Sequence, residues 1–353
     1  MSDEILTNLE SGTSSQIEYL GSGSYGVIVS EVGSDTCRKI FTKDRAMSLI
    51  REAFIVKKLS HIRGITEIIK LDYPTPQDHQ FMKKNKILTE SSILKRATST
   101  ETTKSEDETP WGVIVMRRYC LTLNQWLRTK PSYDSRFKIL KEIIRIIKEI
   151  HNAGVIHADL KLENIMLTDT GEVRIIDWGL SSFKGYARIQ GTTKTYRPRQ
   201  LIQHYCHDIY SLGVIMIQLI LGLLIVNTLE YLSCIRMLEA AISHLPLRKL
   251  LSRMIHPECK NRPTIHEITS FFNISTDISK SILDQNYVAL NIPSSYGISN
   301  LKYPLIFQEF LLSYPETYET IICILGAIYQ CVDPRKLLLR VNYTHVVQFI
   351  NLL

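Results

Sequence analysis

No two of the seven cysteines form a C-x-x-C pair; Cys37, Cys120, Cys206, Cys234, Cys259, Cys323 and Cys331 are scattered singly. With an odd total and no framework spacing, a disulfide scaffold is not expected. The pattern points instead to reduced thiols in an intracellular protein of the cytoplasm or nucleus. The stretch "HYCH" at 204–207 offers ligand-type side chains, yet no second cluster completes a metal site. The opening residues, MSDEILTNLE, are acidic and lack an apolar core, so no secretory leader is expected. The chain carries no internal repeat and no large charge excess. A net charge of +7 fits phosphorylated ligands or acidic proteins and gives no reason to expect nucleic acid.

One long hydrophobic run is present. Residues 209–229, IYSLGVIMIQLILGLLIVNTL, hold 21 residues without a charge, enough to span a bilayer. Ser211, Gln218 and Asn227 interrupt it and no basic cluster flanks it, so a helix buried on all sides is the better reading. The rest is ordinary for a globular chain, at 44% hydrophobic and 22% charged. A length of 353 residues suffices for two modest domains or one large domain with a tail.

Hydrophobic periodicity divides the chain. Residues 17–41 read as a small antiparallel sheet with a turn at Gly33-Ser34-Asp35. Over 44–60, Leu49, Ala53, Val56 and Leu59 share one helical face. After the strand-like TEIIKLDY comes a polar segment, about 74–110, ending in TSTETTKSEDETP and expected to be a disordered insertion. WGVIVM resumes a strand. From about 121 the chain turns helical, with Phe137, Leu140, Ile144 and Ile147 on one face and Gly154 as the cap. Strands first and helices after predict an α+β protein of two lobes.

Candidate chemistry begins at GSGSYGVI, which spaces Gly21, Gly23 and Gly26 as G-x-G-x-x-G. The β-branched run that follows predicts a second strand, so the loop folds back over its own hairpin. Such a hairpin can lay backbone N–H groups over phosphates; a plain flexible turn reads equally well from this motif alone. Lys39 lies on the next strand, and Glu52 lies on the inward side of the following helix. Taken alone, that pair would more often sit on the surface. The stretch 155–180 adds Asp159, Lys161, Asn164 and Asp177. Phosphoryl transfer needs a group to take a hydroxyl proton, a cation for the moving phosphate and oxygen ligands for magnesium. Asp159, Lys161, and Asn164 with Asp177 fit those three needs in turn.

The chain here resembles the eukaryotic-type protein kinase family. HADLKLEN is similar to the catalytic loop H-R-D-L-K-x-x-N, and DWG to D-F-G with Trp178 for Phe. TTKTYRPRQLI, HDIYSLGVIMIQLILG and HPECKNRPTIHEI resemble later segments of that family, in its order. The resemblance covers about residues 15–273 and implies a small β-rich lobe over about 15–118 and a larger helical lobe over about 119–273. It makes the uncharged run the central helix of the large lobe, with no membrane span. It implies ATP and Mg²⁺ as cofactors, with Gly21, Ser22, Gly23, Gly26, Ile28, Lys39, Glu52 and Met116 on the nucleotide. Asp159 becomes the base, Lys161 the γ-phosphate contact, and Asn164 and Asp177 the metal ligands. Residues 1–14 are then a tail, and 274–353 a helical extension that packs on the large lobe or recruits a partner protein.

Several positions depart from the pattern. Ala158 replaces the catalytic-loop arginine, so no docked phosphate is expected there. Gln200 stands where the family's glutamate pairs with a late arginine, leaving Arg262 in need of another partner. Arg117 and Arg118 follow Met116 where an acid is commoner. The compact glycine-to-lysine spacing and the short segment between Asp177 and Tyr196 suggest a divergent, viral-type member. Lys161 and Thr193 match the serine/threonine pattern. Lys184, Arg188, Lys194, Arg197 and Arg199 make the presumed substrate groove, with Thr193 and Lys194 in it, basic; protein substrates with acidic or phosphorylated neighbours are therefore expected. Two other readings stand beside this one. Small-molecule kinases of the aminoglycoside and choline type share H-x-D-x-x-x-x-N, and a catalytically silent scaffold could keep the fold.

Overall fold

Alternating apolar residues near the start of the chain build an antiparallel sheet around one lysine. In the computed structural model, the described residues are 17–23, 26–84, 109–183, 204–224, 231–274 and 342–352, with 196, 198, 226, 287–289 and 302–304. Strand β1 (Ile17–Gly23) pairs with β2 (Gly26–Glu31), bringing Gly23 opposite Gly26. Gly33, at φ +82°, turns the chain into β3 (Thr36–Thr42). Helix α1 (Ala46–Leu59), β4 (Ile68–Asp72), α2 (Pro76–Lys84) and β5 (Pro110–Arg117) follow. The sheet order is β1-β2-β3-β5-β4, so β3 is central and Lys39 lies between Ile28 and Ile114. The expected inward face of α1 is observed: Leu49, Ala53, Val56 and Leu59 are buried, and Glu52 is buried with them.

The expected insertion at about 74–110 opens on helix α2 rather than on a disordered chain. Asp78 explains why. Its carboxylate accepts from Thr75 N–H at 2.7 Å, its own N–H donates to Thr75 Oγ1 at 3.1 Å, and Arg38 pairs with it at 2.5 Å. Phe81 and Met82 then cover the outer face of the sheet beside Val27, Val29 and Ile40. The polar composition hid an amphipathic turn. Residues 85–108 lie outside the described residues.

The large lobe begins with β6 (Leu121–Thr122) and α3 (Leu123–Arg128), started by a Thr122–Gln125 capping box. Helix α4 (Tyr133–Asn152) carries Leu140, Ile144 and Ile147 into the core and ends before Gly154, at φ +80°. Short strands β7 (Val155–Ile156), β8 (Ile165–Leu167), β9 (Val173–Ile175) and β10 (Ser182–Phe183) frame the turns between them. Residues 209–221 of the uncharged run lie in α5 (Cys206–Leu221), buried for nearly its whole length and closed by left-handed Gly222. At about 1.5 Å per residue it is only about 24 Å long, and among the described residues no helix is long and apolar enough to cross a membrane. Helices α6 (Tyr231–Ala241), α7 (Leu245–Met254) and α8 (Ile265–Phe271) complete this lobe.

Two further expectations fail. The cysteines do not all stand alone: Cys206 and Cys259, 53 residues apart, form a disulfide. Packing of the start of α5 against the turn at Cys259–Asn261 brings them together, which no local spacing could reveal. The region after 274 is not wholly helical either. It includes a strand pair, β11 (Tyr287–Ala289) and β12 (Lys302–Pro304). Helix α9 (Tyr343–Leu352) packs on the small lobe, against α1 and β4. Val346, Phe349 and Ile350 are buried there, and the Tyr343 hydroxyl donates to Asp72 O at 2.7 Å. The helices expected between 305 and 331 lie outside the described residues.

Candidate functional site

Lys39 reaches the site from the middle of the sheet and is 3% exposed. Its ammonium donates to Glu52 Oε2 at 2.7 Å and to Asp177 Oδ1 at 2.7 Å, joining sheet, helix α1 and the large lobe. A lysine this deep would lose its proton to desolvation, but Asp177 and Glu52 outweigh burial and hold its pKa above the usual value. Two carboxylates compete for one ammonium. Burial raises the Glu52 carboxyl to about 6 against the pull of Lys39, with the Asp177 charge adding to the rise. Asp177 moves the other way: burial opposes its ionisation, yet Lys39 and Lys161 hold it below the usual range.

The large-lobe half gathers around Asp159. Lys161 Nζ donates to Asp159 Oδ2 at 2.7 Å, and Asn164 Nδ2 donates to Asp159 O at 2.8 Å and to Oδ2 at 3.1 Å. With its nitrogen used in this way, Asn164 has a carboxamide oxygen to offer a cation. Together with the Asp177 carboxylate this is a hard, all-oxygen donor set, the kind that suits magnesium. Two backbone positions here are left-handed without being glycine, Ala158 at φ +68° and Asp177 at φ +63°. Such conformations persist only where surroundings enforce them.

Asp208 does the enforcing at Ala158. This fully buried carboxylate accepts from His157 N–H at 2.8 Å, from Ala158 N–H at 2.9 Å and from His151 Nε2 at 3.0 Å. Burial opposes its charge, but the His151 hydrogen bond and the neighbouring imidazoles keep it ionised. His157 is itself fully buried, its Nε2–H facing Ile176 O at 3.1 Å, and desolvation lowers its pKa so that the ring stays neutral. At the other strained residue, Trp178 is wholly buried and donates to Ile175 O at 3.2 Å, while Arg51 holds Gly179 O at 2.5 Å. Asp208, His157 and Arg51 were not foreseen as site residues. For Asp208 a signal existed: a carboxylate directly before a long apolar run has to be buried and so has to be bonded.

The glycine hairpin lies as expected, with Gly21 opposite Ile28 and Ser22 opposite Val27. A Cβ at Gly26 would meet Ile40 O at 2.8 Å, so packing alone demands glycine there; a Cβ at Gly21 would meet nothing within 4 Å. Met116 is buried on β5 opposite Cys37 and Ile68. The arginines after it have local partners, Arg117 with Asp35 and Arg118 with Glu18. Arg262 is satisfied by carbonyls: Cys206 O at 2.7 Å, His256 O at 2.8 Å and Pro257 O at 2.8 Å. Thr193 and Lys194 lie outside the described residues.

Residues 14–271 match the protein kinase domain family model. The chain is 24% identical over 271 residues to the mitogen-activated protein kinase p38b of Drosophila melanogaster, covering 70% of this chain and 65% of that one. It is 27% identical over 249 residues to mitogen-activated protein kinase 14 of Xenopus laevis, covering 67% and 58%. Against mitogen-activated protein kinase pmk-3 of Caenorhabditis elegans it is 30% identical over 228 residues, covering 58% and 43%. In each case the match spans less than two thirds of the relative's own length.

Proposed function

The chain belongs to the protein kinase domain family, and from that premise we propose that it transfers the γ-phosphoryl group of ATP to serine and threonine hydroxyls of proteins. The observation that carries the reading is the single ammonium of Lys39, held at 2.7 Å by both Glu52 and Asp177. That bridge couples the nucleotide half of the cleft to the half containing Asp159. Asp159 takes the hydroxyl proton of the substrate, and Lys161, bonded to the same carboxylate, offsets charge on the moving phosphoryl group. Asn164 and Asp177 would hold Mg²⁺, which when bound neutralises phosphate charge. The main chain of Gly21–Gly23 covers the phosphates, and Ile28 and Met116 flank the adenine side.

Serine/threonine preference rests on Lys161 standing two residues after Asp159 and on Thr193 three residues before Tyr196. The basic residues from Lys184 to Arg199 favour acidic or phosphorylated neighbours of the target hydroxyl, and an intracellular location would supply both ATP and such substrates. The experiment uses labelled ATP with a positional peptide library, a generic protein, free sugars and choline. Label on Ser and Thr, favouring acidic peptides and weakening as salt rises, is the expected result. Labelled sugar or choline alone would make it a small-molecule kinase; no transfer with intact Mg-ATP binding would make it a scaffold.

The Lys39 bridge also sets a pH dependence. Glu52 is needed ionised to orient Lys39, so kcat/KM for ATP should fall as pH drops through about 6, the value to which burial lifts this carboxyl. Stability moves oppositely. The folded value lies above the ordinary 4.5, so the stabilising contribution from protonated Glu52 is full below 4.5 and is lost as pH rises through about 6. Glu52→Gln should remove the acid limb at reduced activity. An unchanged limb in that variant would assign it elsewhere.

A further inference from the structure

Cys206 and Cys259 are joined at a place where the sequence predicts free thiols, whereas Cys37, Cys120 and Cys234 are free. Cys206 is the first residue of α5 and is buried, while Cys259 is half-buried in the turn at Cys259–Asn261. A ring nitrogen of His204 and the two sulfurs lie within 4.8 Å of one another. The Arg262 guanidinium, 7% exposed, donates to Cys206 O at 2.7 Å, and among the described residues it forms no ion pair. Cys206 opens α5, and a helix N-terminus favours a thiolate. Burial pushes the Cys37 thiol up to about 11 against the pull of Arg118 and Lys39, and burial raises Cys234 as well.

We propose that Cys206 and Cys259 form a redox-active pair, a site of reversible thiol–disulfide exchange that sets the turnover of this enzyme. A small thiol of the glutathione class, as its thiolate, attacks the more exposed Cys259 sulfur. The Cys206–Cys259 bond breaks and its electron pair leaves on Cys206, next to Arg262 and the helix end. A second small thiolate then attacks the sulfur of the first, forming the small disulfide, and the electron pair of the mixed disulfide leaves on Cys259. The balance is protein disulfide plus two thiols giving protein dithiol plus one small disulfide, two electrons in all.

The route to the catalytic loop is short. Two residues beyond Cys206 is Asp208, whose carboxylate holds the N–H groups of His157 and Ala158 at 2.8 and 2.9 Å and so keeps Ala158 at φ +68°, directly before Asp159. The disulfide fixes the first turn of α5 to the 256–262 turn, and Arg262 ties the same segments through Cys206 O, His256 O and Pro257 O. Lys39 and Glu52 are on the other lobe and do not depend on this tie. Reduction should therefore lower kcat by about tenfold and leave KM for ATP nearly unchanged.

This consequence rests on the kinase reading, so the test includes a measurement that needs no activity. The whole protein is equilibrated in glutathione buffers of graded poise, and the Cys206–Cys259 linkage is followed by peptide mass alongside amide hydrogen exchange at His157 and Ala158. The expected result is a reversible two-electron transition, with faster exchange of those two amides in the reduced form and a parallel fall in kcat. The Cys259→Ser variant should stay at the kcat of the reduced form in every buffer, and Cys120→Ser, at an exposed free cysteine, should behave as wild type. Thiols that stay reduced across the series, or amide exchange that ignores the linkage, would overturn the proposal. One equivalent of zinc retained with no linkage by mass would overturn it too, assigning His204, Cys206 and Cys259 to a metal. Were the linkage and exchange to respond as expected with no phosphotransfer in either form, the kinase reading would fail and the redox pair would stand.

Discussion

Asp159→Asn should lower the rate of phosphotransfer by about 10²–10⁴-fold, the usual range for loss of a positioned general base, while ATP binding stays near normal. The substitution keeps the shape of the side chain. Asp159 is 7% exposed, and its Oδ2 receives Lys161 at 2.7 Å and Asn164 at 3.1 Å, so an amide of the same size can fill the site without collapse. What is lost is the proton acceptor and the charge that holds Lys161. Lys39, Glu52 and Asp177 are untouched, because their bridge runs through other atoms. Single-turnover kinetics separates chemistry from binding, and fluorescent-nucleotide titration reads affinity directly. Transfer at full rate in this variant would sink the assignment of Asp159 as base. Equal loss of nucleotide affinity would show that the substitution had disturbed the whole cleft.

That Lys39, Glu52, Asp159, Asn164 and Asp177 come together was legible from periodicity, motif spacing and the family resemblance in combination. Glu52 falls on the same helical face as Leu49, Ala53 and Val56, so it is carried inward with them. Asp159, Lys161 and Asn164 sit within six residues, and β9 delivers Asp177 from the far side of the hairpin. The strands, α1, α4 and the central buried helix follow from the same reasoning. What could not be read depends on contacts between distant segments. Arg51 meets Gly179 across 128 positions, and Asp208 meets His157 across 51. The Cys206–Cys259 bond closes over 53 residues, and Arg262 finds three carbonyls where the family pattern suggested a carboxylate. Helix α2 was masked for a different reason. Its composition is polar, and only the burial of Asp78 against Arg38 and Thr75 makes it a docked element.

The least legible feature, the seat of α9, carries the second large effect. Phe349→Ala should cost about 3–5 kcal/mol of stability, the range for deleting a buried aromatic ring, because Phe349 is 1% exposed between fully buried Val346 and Ile350. Tyr343 anchors the other end of the helix: its hydroxyl accepts from Val113 N–H at 3.1 Å and donates to Asp72 O at 2.7 Å, bridging β5 and β4. Its ring lies over Gly112 so closely that a Cβ there would come within 2.6 Å, so Gly112→Ala should unseat the helix from the opposite side. Since α9 also packs on α1, and α1 carries Glu52, loosening it should reach the site as a rise in KM for ATP with a smaller change in kcat. That is the reverse of the split expected from opening the disulfide, because the two devices act on opposite lobes. Gln348→Ala, on the exposed face of α9, should change neither stability nor KM. Chemical denaturation together with ATP kinetics on Phe349→Ala, Gly112→Ala and Gln348→Ala decides the matter. If the first two lose stability but keep a wild-type KM, α9 serves the fold alone and the position of Glu52 is set by the sheet.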